Sequence, residues 1–242
     1  MVLGIVALLL AVAVPWLGQA RGKGWSAVSL ANAREIGLAV QIYADVSKDL
    51  PPVFFAPIVG HYPETPPQRV VTVGGPARGY WFDHEWEFPV AIDPPLPAAT
   101  LQSPGLVRPR EPGADSIRYN GLPDFRLTQS LYATPAFWDR YTQAGPSQWA
   151  AQTLGSIRFP ASKGLLFQHH KRGPNGRQQI PQYVGVRGAI TWADLSVTET
   201  DHTTLLPGEP NFWDHWRLRP PTFLEDGWAV RATKDGVWGR DR

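Results

Sequence analysis

The chain has 242 residues, enough for an apolar segment plus one globular domain of ordinary size. Its formal net charge of +2 is too small a surplus for a dedicated nucleic-acid surface, and the longest basic run is only His169 to Arg172. The 25 prolines, 23 glycines and 11 tryptophans point to a loop-rich domain of short strands held by aromatic anchors, while the absence of cysteine leaves the redox compartment open. There is no internal repeat at solenoid periods.

From Val2 to Leu17 no side chain is charged and hardly one is polar. Such a run gains nothing from water and belongs in lipid or in a protein core. A cleaved signal peptide would show a basic start and a small-residue cleavage site. Here no charge precedes Arg21, and the run continues directly into a second helical pattern. Trp25, Val28, Asn32, Ile36, Ala39, Val40 and Tyr43 recur at three- and four-residue steps, laying one mostly apolar stripe along a helix. Lys23, Arg34, Gln41, Asp45 and Lys48 fall on the opposite face, with Leu30 and Leu38 among them. Pro51 and Pro52 are expected to end the helix, because proline lacks a backbone donor and pushes the preceding residue out of the helical region. Pro15 is expected to kink it. The whole rod would have roughly 48 residues and span about 70 Å.

Three segments follow from this pattern. Residues 1–20, marked by Val2, Leu8, Val14, Pro15 and Leu17, form an apolar membrane helix; residues 21–50 continue it amphipathically; residues 51–242 form a loop-rich β domain. The expected class is α+β, a long N-terminal helix packed on a C-terminal antiparallel sheet.

Within the third segment, Val53-Phe54-Phe55, Val70 to Val73 and Trp86 to Ile92 read as strands or extended loops, with Gly74-Gly75-Pro76 as a turn. Ser116 to Asn120 reads as a short strand and Pro135 to Gln143 as a short helix. Ile157 to Phe167 reads as strand, turn, strand, and Lys171 to Gln179 as a loop. Ala189 to Val197 reads as a hairpin turning at Asp194, although Leu195 stands where a tight turn favours glycine.

The front of the chain, VLGIVALLLAVAVPWLGQAR followed by ANAREIGLAVQIYADVSKDLPP, resembles the N-terminal helix of type IV pilins and type II secretion pseudopilins. In one large bacterial group of that family a proline-containing apolar run and a short basic stretch lead into N-L-R-Q-I-G-L-A-L-x-x-Y-A and then L-P-P. Asn32, Arg34, Ile36, Gly37, Leu38, Ala39, Tyr43, Ala44, Leu50, Pro51 and Pro52 match that pattern, while Ala33 and Glu35 depart from it. Ile157 to Phe167 is similar to the family's I-x-x-P-S element, with Ala161 at the serine. Ala189 to Val197 is similar to its late Asp-Gly hairpin, with Asp194 at the aspartate. A second match for that motif sets His215 ahead of Asp226-Gly227.

The resemblance implies a prepilin-type structural subunit of a type II secretion or type IV pilus-like filament, with no catalytic residue. It implies a single pass through the inner membrane, an extracytoplasmic globular domain, and partners among membrane lipid, other pseudopilins and secretion-system inner-membrane proteins. It also implies a leader and an F-T-L-I-E-L-L motif upstream of Met1, about seven residues of which would complete a full span. Arg21 and Lys23, taken alone under the positive-inside rule, point the other way, to a cytoplasmic C-terminal side. Some family members bind calcium in a C-terminal loop; Asp226, Asp235 and Asp241 are candidates by location, without a ligand pattern.

Other site candidates are weaker still. His169, His170, His202 and His215, with Asp201, Asp214 and Asp226, lack metal-ligand spacing, and hydrogen-bonded histidines are the simpler reading. Asp83, Glu85 and Glu87 alternate with His84 and Trp86, which on a strand puts three solvated acids on one face. Neither a G-x-S-x-G elbow nor a phosphate-cradling glycine loop is present. The tryptophans raise an alternative, a membrane-anchored carbohydrate-binding module or glycosidase, against the simpler expectation that Trp192, Trp216 and Trp228 fill a core.

Overall fold

The computed structural model describes residues 2–53, 58–61, 70–73, 82, 84–106, 123–173, 178–181, 186–209, 211 and 229–242. Helix α1 runs from Val2 to Val46 as one 45-residue element with Pro15 inside it. Strands β1 (Ile58–His61) and β2 (Val70–Val73) form a small antiparallel pair. Short helices α2 (His84–Glu87) and α3 (Ala98–Leu101) precede β3 (Phe125–Leu127). The main sheet is antiparallel with order β3, β4 (Gly164–Gln168), β7 (Arg187–Trp192) and β8 (Val197–Asp201). Between them, β5 (Lys171–Arg172) pairs with β6 (Gln178–Gln179). The fold is α+β, a long helix laid on an antiparallel sheet.

The sheet is covered on both faces. On one side Ala33, Ile36 and Val40 of α1 join Leu127, Leu131, Leu165, Leu166 and Ala189 in the main core. On the other, Phe167, Ile190 and Trp192 pack on Ala229 and Val230. Double coverage explains why β4 is buried throughout while the edge strand β8 is only half-buried.

The expected stripe holds at Ile36 and Val40, which pack in the core against the sheet, and is corrected elsewhere along α1. Ser29, Ala33, Ile36, Gly37, Val40 and Ala44 are buried, whereas Val28 is exposed, and Leu30, expected to face away, packs half-buried on the core. The cause is close approach. A Cβ at Gly37 would lie 2.7 Å from Thr191 Cγ2, and the Thr191 hydroxyl donates to the Ala33 carbonyl at 2.8 Å. Ala33 and Gly37, four residues apart, form a shallow face into which β7 settles.

The helix also stops short of its prolines. Lys48 and Asp49 take left-handed conformations (φ 57° and 65°), and the Asp49 N–H closes back on the Ala44 carbonyl at 2.8 Å. This is a left-handed C-terminal closure, so Pro51 and Pro52 follow the turn and do not cause it. Asp49 then ties the turn to the domain: its carboxylate accepts from Gly155 N at 2.7 Å and its carbonyl from Leu154 N at 2.9 Å.

Four further expectations change. Trp86 to Ala91 is helical, α2 running into a 3₁₀ turn at Phe88–Ala91 and only Ile92 being extended, because Pro89 cannot donate to a ladder and suits a first turn. Ile157 to Phe159 is not a strand; 3₁₀ turns at Leu154–Ser156 and Pro160–Ser162 flank it, and Arg158 N bonds to the Val237 carbonyl. Within Lys171 to Gln179 lies the β5–β6 pairing. The β7–β8 turn does adopt positive φ, at Leu195 (64°), in spite of the missing glycine. Leu195 bears that strain because its side chain packs on the core beside Gly37. Asp194 supports the turn, its Oδ1 accepting from Ser196 N at 3.0 Å and Ser196 Oγ at 2.6 Å.

Val70 to Val73 is the strand expected, and Pro135 to Gln143 begins with a 3₁₀ turn at Pro135–Trp138. The readings at Phe54-Phe55, Gly74 to Pro76 and Ser116 to Asn120 lie outside the described residues.

Candidate functional site

The most distinctive surface is α1 itself. Every side chain described between Gly4 and Gly24 is exposed, so the apolar half of the helix is not tucked into its own domain. This helix is long and apolar enough to cross a membrane. Past Gly24 the face turned from the sheet is mixed: Val28, Leu38 (43% exposed), Ile42 (62%) and Val46 form an apolar line broken by Glu35, with Arg34 and Asp45 exposed beside it. At 100° per residue these positions continue the side of the rod that carries Val6 and Leu17. An apolar seam, interrupted by Arg21 and Glu35 and exposed among the described residues, therefore runs from the apolar half of the helix onto the domain. Asn32, by contrast, pins α1 sideways, donating to the carbonyls of Ala99 (3.1 Å) and Gln102 (3.3 Å) near α3.

The domain interior holds three charged clusters that are structural in geometry. Lys163 is fully buried; its ammonium donates to Ser130 Oγ at 3.0 Å, contacts Thr233 Oγ1, and pairs with Asp241 Oδ2 at 3.3 Å. Burial holds the Lys163 amine below its usual range, and Asp241 pulls it back upward. A serine beside a lysine is the raw material of a nucleophilic dyad. Ser130 is fully buried, however, and the amine has a carboxylate partner, so the arrangement reads as a latch on Asp241.

Glu85 is the second centre. It is buried between Arg126 (2.6 Å) and Arg231 (3.0 Å), which corrects the picture of a solvated strand of acids: a helical turn, not an alternating strand, carries Glu85 inward. Tyr132 nearby is held well above its ordinary pKa by burial and by Glu85 and Glu87.

The third cluster contains Ser103, Asp124 and His170, the residue types of a charge-relay triad. Its connections are wrong for that chemistry. Ser103 Oγ donates to the His170 backbone carbonyl, and Ser103 N donates to Asp124 Oδ2 at 2.6 Å. His170 Nδ1 lies 3.4 Å from Asp124 Oδ1, but among the described hydrogen bonds the Ser103 hydroxyl engages the His170 carbonyl and the Gln168 amide, not an imidazole.

Of the residues expected by resemblance, Ile36, Gly37 and Pro51 are buried, Tyr43 is half-buried and Asp194 makes its turn. His215, Asp226 and Gly227 lie outside the described residues, as do Asp83, Asp214, Trp216 and Trp228. Both oxygens of the calcium candidate Asp241 are engaged, Oδ1 by Thr233 and Oδ2 by Gly164 N and Lys163. Asp235 is exposed. His169 and His202 are buried. Among the described residues no three metal-ligating side chains gather. Trp192 is core, its indole donating to Thr198 Oγ1 at 2.9 Å. No protein-family model, no curated protein and no solved structure matches this chain.

Proposed function

We propose that this protein is a pseudopilin-like structural subunit. The first half of α1 anchors it in the bacterial inner membrane, with the globular domain on the extracytoplasmic side. Its work is mechanical: α1 helices of neighbouring copies pack together, sheet domains decorate the outside, and secretion-system inner-membrane proteins receive the assembly. One observation carries this reading. An apolar rod left unburied by its own domain continues into a helix whose inner face is fixed on a sheet and whose outer face exposes Leu38, Ile42 and Val46, with no partner among the described residues. A soluble domain has no use for such a seam.

The chain has no cysteine, so single cysteines report cleanly. Leu38→Cys and Ile42→Cys, in native membranes with the secretion genes present, should give disulfide-linked dimers on mild oxidation. A cysteine at the exposed Tyr141, far along the domain, should not, and should react with a membrane-impermeant maleimide from the periplasmic side. Monomers throughout, or maleimide protection of Tyr141→Cys until the inner membrane is opened, would contradict the proposal.

A further inference from the structure

Where α1 leaves its apolar half, the domain reaches up to meet it. Arg21 and Arg172 both approach the Trp25 indole, at 5.2 and 4.5 Å from the ring centroid. The ring rests on the backbone of Gly105 (φ 71°), where a Cβ would come within 2.9 Å of it, and the Arg172 guanidinium donates to the Gly105 carbonyl. At the next residue of the helix, Ser26 bonds Glu199 at 2.8 Å, and Lys171 of the domain pairs with the same carboxylate at 2.5 Å. Burial pushes the Glu199 carboxyl up, but the bonds from Lys171 and Ser26 outweigh it and hold the pKa below its ordinary value. Glu199 is thereby committed to Lys171. Among the described residues neither Arg21 nor Arg172 has a carboxylate partner, and Lys23, two residues on from Arg21 and on the far side of the helix, is exposed. Two guanidiniums gathered at one ring without a described carboxylate leave a concentration of positive charge that an anion would balance.

The position says which anion. Arg21 is the first charged side chain after an uncharged, mostly apolar run, Val2 to Ala20, of the kind a bilayer's hydrocarbon core accepts. Arg21 thus stands at the level of the lipid phosphates. Trp25, four residues on, lies only about 6 Å above it. Tryptophan and arginine at that depth suit the polar interface. We propose that Arg21, Lys23, Trp25 and Arg172 form a collar that binds the phosphates of anionic phospholipids, with Arg172 supplied by the domain and not by the helix. The collar then fixes how closely the domain sits on the bilayer. The proposal rests on the membrane placement of α1 and holds on either side of the membrane.

The test uses the full chain in nanodiscs of phosphatidylcholine mixed with phosphatidylglycerol, with retained lipids counted by native mass spectrometry. The wild-type chain should retain phosphatidylglycerol above its bulk fraction. Arg21→Gln with Arg172→Gln should cut that preference by roughly fivefold for each charge removed. Lys23→Gln, whose side chain makes no described contact with the domain, should lower it by about fivefold with the fold intact. Equal retention of both lipids by the wild-type chain, or an unchanged preference in all variants, would overturn the collar. Loss of the preference in inorganic phosphate but not in chloride of equal ionic strength would overturn it in favour of a free-anion site. Failure of the chain to enter nanodiscs at all would instead overturn the membrane placement beneath it.

Discussion

His202 sits against the sheet with almost no exposure, close over Gly188, where a Cβ would come within 3.1 Å of its Nε2. Burial holds its imidazole down to about 4, with Asp201 opposing that shift and Lys171 adding to it. The group is therefore neutral in the folded chain across a range where the unfolded chain takes up a proton. Between the ordinary histidine value and about 4, stability falls as pH falls, by roughly 3 kcal/mol in all, and levels off below. Urea unfolding of the detergent-solubilised chain should show this slope, and His202→Leu should flatten it. The Lys163–Asp241 latch gives a second test at this scale. Asp241→Asn strands a buried ammonium and should cost ~3–5 kcal/mol, whereas Lys163→Met with Asp241→Leu removes both charges and should recover most of that loss. An Asp241→Asn variant as stable as the wild-type chain would show that the pair is not a latch. Neither cluster was legible in the chain, because Lys163 and Asp241 lie 78 residues apart and Glu85 and Arg231 lie 146 apart, without any local pattern.

At the scale of elements, α1 was legible because absence of charge and a helical period are local properties of a chain. Its docking face was legible in part: Ile36 and Val40 of the expected stripe are buried on the sheet, while Val28 is exposed. What a search for large apolar side chains missed is Ala33 and Gly37, since only small residues admit β7 so closely. Gly37→Val should therefore overpack the joint and cost ~1–3 kcal/mol, seen as a lower urea midpoint, while Leu38→Ala on the outer face should leave the monomer's stability nearly unchanged. Equal losses would mean that the docking face has been misplaced. The late hairpin was legible from its alternation, and its turn survives at Leu195 because tertiary packing overrides a local preference for glycine. The opposite error arose at Trp86 to Ile92, where alternation imitated a strand and Pro89 was the contrary signal.

For the molecule as a whole, the two faces of α1 divide the labour. The inner face spends its small residues on fixing the domain; the outer face keeps Val28, Leu38, Ile42 and Val46 in line with the apolar rod. Burying such side chains between copies is worth ~1.5–3 kcal/mol each, enough for a few of them to favour association in the plane of a membrane. The most direct measurement places a nitroxide at Leu9→Cys and, separately, at Ile42→Cys in the membrane-reconstituted chain, and compares collision with oxygen against collision with a water-soluble nickel chelate. The predicted result is a Leu9 label open to oxygen and closed to nickel, and an Ile42 label shielded from both at high protein density but open to nickel when copies are diluted. A Leu9 label as open to nickel as an ordinary surface site would contradict the claim that α1 lies in lipid.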